Sequence, residues 1–199
     1  MLNMVTPRSQ GGPTENDPSP NGADSKESGQ DGDPGKKGKE AADQANFDKM
    51  EKDIKEAMAQ NPKLENLKDQ VKFARDKDGL RIEIIDKADF AMFGLGSTSM
   101  TPRAQALLAE VGKTLESLPN KVAIRGHTDS VKFANTDGKN NWALSAERAE
   151  ETRKIIGKKG IPDSRFAKIE GVADTAPYNP NDPKDPRNRR ISITVMNRD

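Results

Sequence analysis

His127, Thr128 and Asp129 stand side by side, followed within two dozen residues by Asn141, Leu144 and Arg148. The steps of three and four between Asn141, Leu144 and Arg148 put them on one face of a helix. Seven residues of helix span ~10 Å, enough for one wall of a small pocket. If Asp129 faces that wall, a fixed anion sits at one end and a planar cation at the other. The end group of an amino acid has the matching polarity. Asp129 would take its ammonium, and the Arg148 guanidinium would clamp its carboxylate with two parallel hydrogen bonds. On polarity alone, a structural Asp129–Arg148 ion pair fits the same residues equally well.

Other chemistries find less support. His127 and Asp129 share a strand face, but a catalytic zinc needs three protein ligands. The chain has one His and no Cys, so no metal is expected and His127 reads as a structural histidine. "GLGSTS" at 94–99 is no nucleophile elbow, and it lacks the further Gly of a dinucleotide loop and the Lys of a phosphate loop. No cofactor is expected, and no acid–base pair is singled out. Arg187, Arg189 and Arg190 read as a solvated approach to a strand, with one Arg bonded inward.

These residues need a frame. Val122 and Ile124 mark a strand that runs out into Gly126-His127-Thr128-Asp129, and in open α/β sheets ligands gather at such strand ends. A helix follows from about Asn141 to Lys158, with Ser145, Ala149, Thr152 and Ile156 as its inner line. "VKFARDKDGLRIEIID" alternates on both sides of Asp78-Gly79 and predicts a hairpin. Thr101-Pro102 opens another helix, as cap and first helical position, with Ala104, Leu107, Leu108, Val111 and Leu115 inward. Phe166–Val172 is a strand candidate, and Ile191, Ile193 and Val195 alternate along a final strand. The order predicts a two-layer α/β sandwich, a mixed sheet of four to five strands with helices on one face. This domain spans 71–199.

Ahead of it, residues 7–38 hold five Pro and seven Gly, so 1–40 is expected to be a flexible linker. Phe47, Met50, Ile54 and Met58 form one helical stripe, and Leu64, Leu67 and Val71 suggest a second short helix, giving linker helices over 41–70. Hydrophobic residues make up 32%, too few for all 199 residues to share one core. A net charge of +1 gives no bulk drive toward nucleic acid. No apolar run reaches the ~18 residues of a membrane span, and the start is no signal peptide, so the chain reads as cytoplasmic or as a fragment.

"GHTD", then Asn141-x-x-Leu144-Ser145-x-x-Arg148-Ala149, then "GIPDSRF" and "NRRISI" resemble the OmpA-like peptidoglycan-binding domain over about residues 80–196. "RIEIIDKADFAMFGLGS", "NWALSAERA", "NRRISITVMN" and the insertion with "KFANTDGK" resemble one branch of it, the periplasmic part of the flagellar stator protein MotB. The resemblance implies a binding protein and not an enzyme. It places diaminopimelate's ammonium at Asp129 and its carboxylate at Arg148. Thr128, Asn141 and Leu144 line the same groove, and one residue of the arginine pattern at Asn188, Arg189 and Arg190, expected to be Arg190, supports its floor. It further implies a homodimer, a MotA-type membrane partner reached through a segment absent here, and the periplasmic side of a single-pass inner-membrane protein. A general outer-membrane or lipoprotein wall tether, or a wall hydrolase with a similar groove, is the alternative. An upstream membrane helix bearing an Asp marks the stator, and a lipidated Cys marks the tether.

Overall fold

Strict alternation of apolar residues builds the sheet. Leu80, Ile82 and Ile84, then Val122 and Ile124, then Ile191, Ile193 and Val195 all point to one face and are at most 1% exposed. The computed structural model describes residues 34–94, 96–132 and 140–198. The elements are α1 (Pro34–Gln60), β1 (Val71–Asp76), β2 (Gly79–Ile85), α2 (Pro102–Glu116), β3 (Val122–His127), α3 (Asn141–Gly157), β4 (Phe166–Gly171) and β5 (Arg190–Met196), with three short 3₁₀ turns. The strands lie in the order β1-β2-β5-β3-β4. All neighbours are antiparallel except β3 and β4, whose parallel pairing requires the α3 crossover. This is the mixed five-stranded sheet expected from the sequence.

α2 starts where Thr101 caps it, its hydroxyl accepting from the Ala104 amide, and it buries Leu107, Leu108, Val111 and Leu115 against the sheet. The stripe of α1 joins the same core: Phe47, Met50, Ile54 and Met58 are all fully buried. Asp43, also fully buried, fastens α1 to the end of β5. Its carboxylate accepts from Arg198 Nε at 2.7 Å, the Arg198 amide at 2.8 Å and Asn120 Nδ2 at 3.0 Å.

Two expectations for the leading segment change. α1 begins at Pro34, so the division drawn at residues 40 and 41 falls inside one helix; residues 1–33 lie outside the described residues. The second linker helix does not form. Glu65–Leu67 makes a single 3₁₀ turn, and Val71 belongs to β1, paired with Ile84. Nucleating a helix costs several ordered residues for one hydrogen bond, so a short run after Pro62 loses to strand pairing and to burial of Leu64 and Leu67. The "KFANTDGK" insertion lies, from Phe133 on, outside the described residues.

Candidate functional site

α3 starts where it does because the Asn140 side chain caps it, accepting from the Ala143 amide at 3.0 Å. Its first turns lie close over the ends of β3 and β4, and two glycines permit this. A Cβ on Gly126 would stand 2.1 Å from the Ser145 carbonyl oxygen, and one on Gly171 would stand 2.2 Å from the Ala146 nitrogen. The Ser145 hydroxyl then accepts from the Ala173 amide at 3.0 Å. This close seat turns Asn141, Leu144 and Arg148 toward Thr128 and Asp129, where β3 runs out.

A cavity of about 500 Å³ opens there. Five of the six residues that the resemblance places at the groove line it: Thr128, Asp129, Asn141, Leu144 and Arg148. Asn141 donates from Nδ2 to the backbone carbonyls of Asp129 (3.2 Å) and Val131 (3.0 Å), fixing the loop to the helix. The Thr128 hydroxyl is buried and has no hydrogen-bond partner among the described residues.

Arg190 is not among the lining residues. It faces the other side of the sheet, with Nε 3.1 Å from Glu83 Oε2 and Nη2 2.9 Å from the Ala176 carbonyl. Its neighbour Arg189 takes the place expected for it, lining the cavity with Asp86 and Phe93. Arg189 donates from Nη1 to Asp129 Oδ2 at 2.7 Å and from Nε to Asp86 Oδ2 at 3.1 Å. Strand parity accounts for the switch. Arg189 is in phase with core-facing Ile191, Ile193 and Val195, whereas Arg190 is in phase with Ser192 on the opposite face. Asp86 likewise continues the phase of Ile82 and Ile84. Both residues were legible by that rule.

The pair anticipated between Asp129 and Arg148 is also arranged differently. Among the described residues, Asp129 pairs with Arg189 and not with Arg148. Arg148 lies over the Phe93 ring, 4.8 Å from its centroid, a cation–π contact. It donates from Nε to the Ser97 carbonyl (3.0 Å) and from Nη2 to the Gly94 carbonyl (3.4 Å). That occupies its Nε–Nη2 edge and leaves the Nη1 end outside these two contacts.

Burial is the main influence on the buried charges. It raises the Asp86 carboxyl above its ordinary range, against the opposing hydrogen bonds from the Met92 amide and Arg189. It lowers Arg148, which Asp86 and Asp129 partly restore. Burial also lowers Arg189, but its hydrogen bonds to Asp129 and Asp86 outweigh this and leave it raised. Behind the cavity, burial and the charges of Arg190, Arg125 and Arg81 push His127 down to about 3, so its ring is neutral. The imidazole meets the Ser192 hydroxyl at 3.2 Å. No cluster of His, Cys, Asp or Glu among the described residues could hold a metal. The site therefore brings a carboxylate, a guanidinium end and a buried hydroxyl together around one cavity.

The comparisons with known proteins fit this geometry. Residues 92–190 match the OmpA family. Motility protein B of Escherichia coli K12 is 32% identical over 157 residues, covering 78% of this chain and 51% of that protein; the chain thus spans about half the length of this relative. The structure of the cell wall anchor of the T6SS from Pseudomonas aeruginosa aligns at TM-score 0.55 and 30% identity, over 65% of this chain and 90% of that one. A MotB-like protein from Desulfovibrio vulgaris shares the fold at TM-score 0.61 and 20% identity, over 82% and 96% of the two chains. Among the described residues, no helix is long and apolar enough to cross a membrane.

Proposed function

Through residues 92–190 this chain belongs to the OmpA family, and from that premise we propose that it is a non-enzymatic peptidoglycan anchor, fixing a flagellar-motor stator to the cell wall. The observation that carries this is the cavity beside the end of β3, which Asp129, Arg148 and Thr128 line together. The ligand is diaminopimelate of the stem peptide. Its ammonium adds to Asp129 alongside Arg189, and its carboxylate meets the Nη1 end of Arg148. Asn141 and Leu144 hold the wall between them.

The stator assignment draws on the likeness to Motility protein B. It implies the periplasmic part of a single-pass inner-membrane protein, a homodimer, and a MotA-type membrane partner. Two sites on a dimer multiply a modest single contact by raising effective concentration, which suits an anchor under load. The likeness to the T6SS cell wall anchor favours a second reading, a general wall tether with the same ligand.

Cosedimentation with purified sacculi tests the site. Wild-type protein is expected in the pellet, released by free diaminopimelate. Asp129→Asn and Arg148→Ala are expected to stay in the supernatant while remaining folded. Retention of both variants in the pellet would refute the assignment, and release of soluble wall fragments by the wild type would point to a hydrolase instead.

A further inference from the structure

Among the described residues, the charges around the cavity do not balance. Among the described residues, three cations line it, Lys132, Arg148 and Arg189, against two carboxylates, Asp86 and Asp129. Arg189 is shared between both carboxylates. Arg148 is held by the carbonyls of Ser97 and Gly94, which are neutral acceptors and cancel no charge. Lys132 is exposed at the loop that leaves Asp129, and it has no hydrogen bond or ion pair among the described residues. A zwitterion brings one charge of each sign, so its binding leaves the surplus positive charge in place.

We infer that Lys132 forms a second anion subsite at the mouth of the cavity, so that the preferred ligand carries another carboxylate beside its zwitterionic end. The inference rests on the peptidoglycan reading and adds a chemical preference to it. An extended peptide advances ~3.4 Å per residue, so a carboxylate one residue from the bound diaminopimelate lies within the sweep of a Lys side chain. Lysine suits the role, being a flexible, hydrated point charge that follows a mobile anion and needs no fixed fork geometry. Amidation of that neighbouring carboxylate removes the partner, so the site discriminates between acidic and amidated stem peptides.

Titration calorimetry on the full chain tests this with two ligands. One is a γ-glutamyl-diaminopimelate dipeptide with a free glutamyl α-carboxylate, and the other is its α-amide. An exposed ion pair contributes modestly, so wild type is expected to favour the acidic dipeptide by about 2- to 5-fold at low salt. Half-molar salt is expected to bring the ratio toward one, because exposed charges are then screened within a few ångströms. In Lys132→Gln the low-salt ratio is expected to fall to about one. Equal affinities in wild type, or a preference that survives Lys132→Gln, overturn the subsite while leaving the diaminopimelate pocket standing. Failure of wild type to bind either dipeptide overturns the peptidoglycan reading and the subsite together.

Discussion

Replacing Arg189 with Met removes the guanidinium that Asp86 and Asp129 share, while keeping an unbranched side chain of similar reach. The larger effect falls on Asp86, which is 4% exposed and retains only the Met92 amide at 2.8 Å as a close donor among the described residues. Removing one partner of a buried pair costs about 3–5 kcal/mol. Protonation sets a ceiling on that cost, because an unpaired Asp86 can take up a proton instead of staying charged. Starting from the ordinary carboxylate value of 3.8, the ceiling is about 1.36 kcal/mol per pH unit, hence about 4 kcal/mol at pH 7 and under about 2 kcal/mol at pH 5. Arg189 is partly exposed, so about 3 kcal/mol is expected at pH 7. Urea unfolding of wild type and Arg189→Met at both pH values measures the difference. The destabilisation should shrink by at least about 1 kcal/mol on going to pH 5, and Asp86→Asn combined with Arg189→Met should recover much of the loss. A penalty that is the same at both pH values, or strictly additive effects in the double variant, would show that the pair does not hold the pocket.

Three further outcomes follow from contacts elsewhere. His127 is neutral when folded, with its pKa pushed to about 3 from 6.5. The unfolded chain therefore binds more protons below pH 6.5, and the histidine's contribution is complete above that value and lost as pH falls. About 2 kcal/mol should disappear between pH 6.5 and 5, and His127→Gln should flatten that slope in chemical unfolding. Gly171→Ala should destabilise by about 1–3 kcal/mol, because its Cβ meets backbone of α3 at 2.2 Å. Gly157→Ala, whose nearest neighbour is the Phe166 ring at 4.0 Å, should gain up to about 1 kcal/mol; equal effects in thermal melts would contradict the tight seat of α3. Asp43→Ala should cost roughly 1.5–3 kcal/mol by leaving Arg198 without its carboxylate acceptor and Asn120 with the Met196 carbonyl alone. Hydrogen exchange should then show earlier opening of α1 than of α2, and unchanged protection of α1 would rule out the latch.

Spacing along the chain was enough to place Asn141, Leu144 and Arg148 on one helix face, and the capped start of α2 was visible in Thr101-Pro102, whereas the Asn140 cap of α3 was seen only in the structure. The alternation in "RIEIID" and "RRISITV" foretold two strands with one buried face each, since period two reports which side chains share a face whatever the partner. That same parity separates Arg189 from Arg190, although the arginine cluster by itself does not show which of them turns toward the cavity. The stripe of α1 was equally visible in Phe47 to Met58.

Tertiary structure alone decided how the charges are shared. Asp86 and Arg189 stand far apart in the chain and meet only because β2 and β5 are neighbours. Asp129 is therefore bonded to a residue that no local pattern pairs with it, and Arg148 turns one edge of its guanidinium to the 94–97 loop. Periodicity describes the faces of one element. Charge pairing depends on which elements the core brings side by side, and that is settled by packing over the whole sheet.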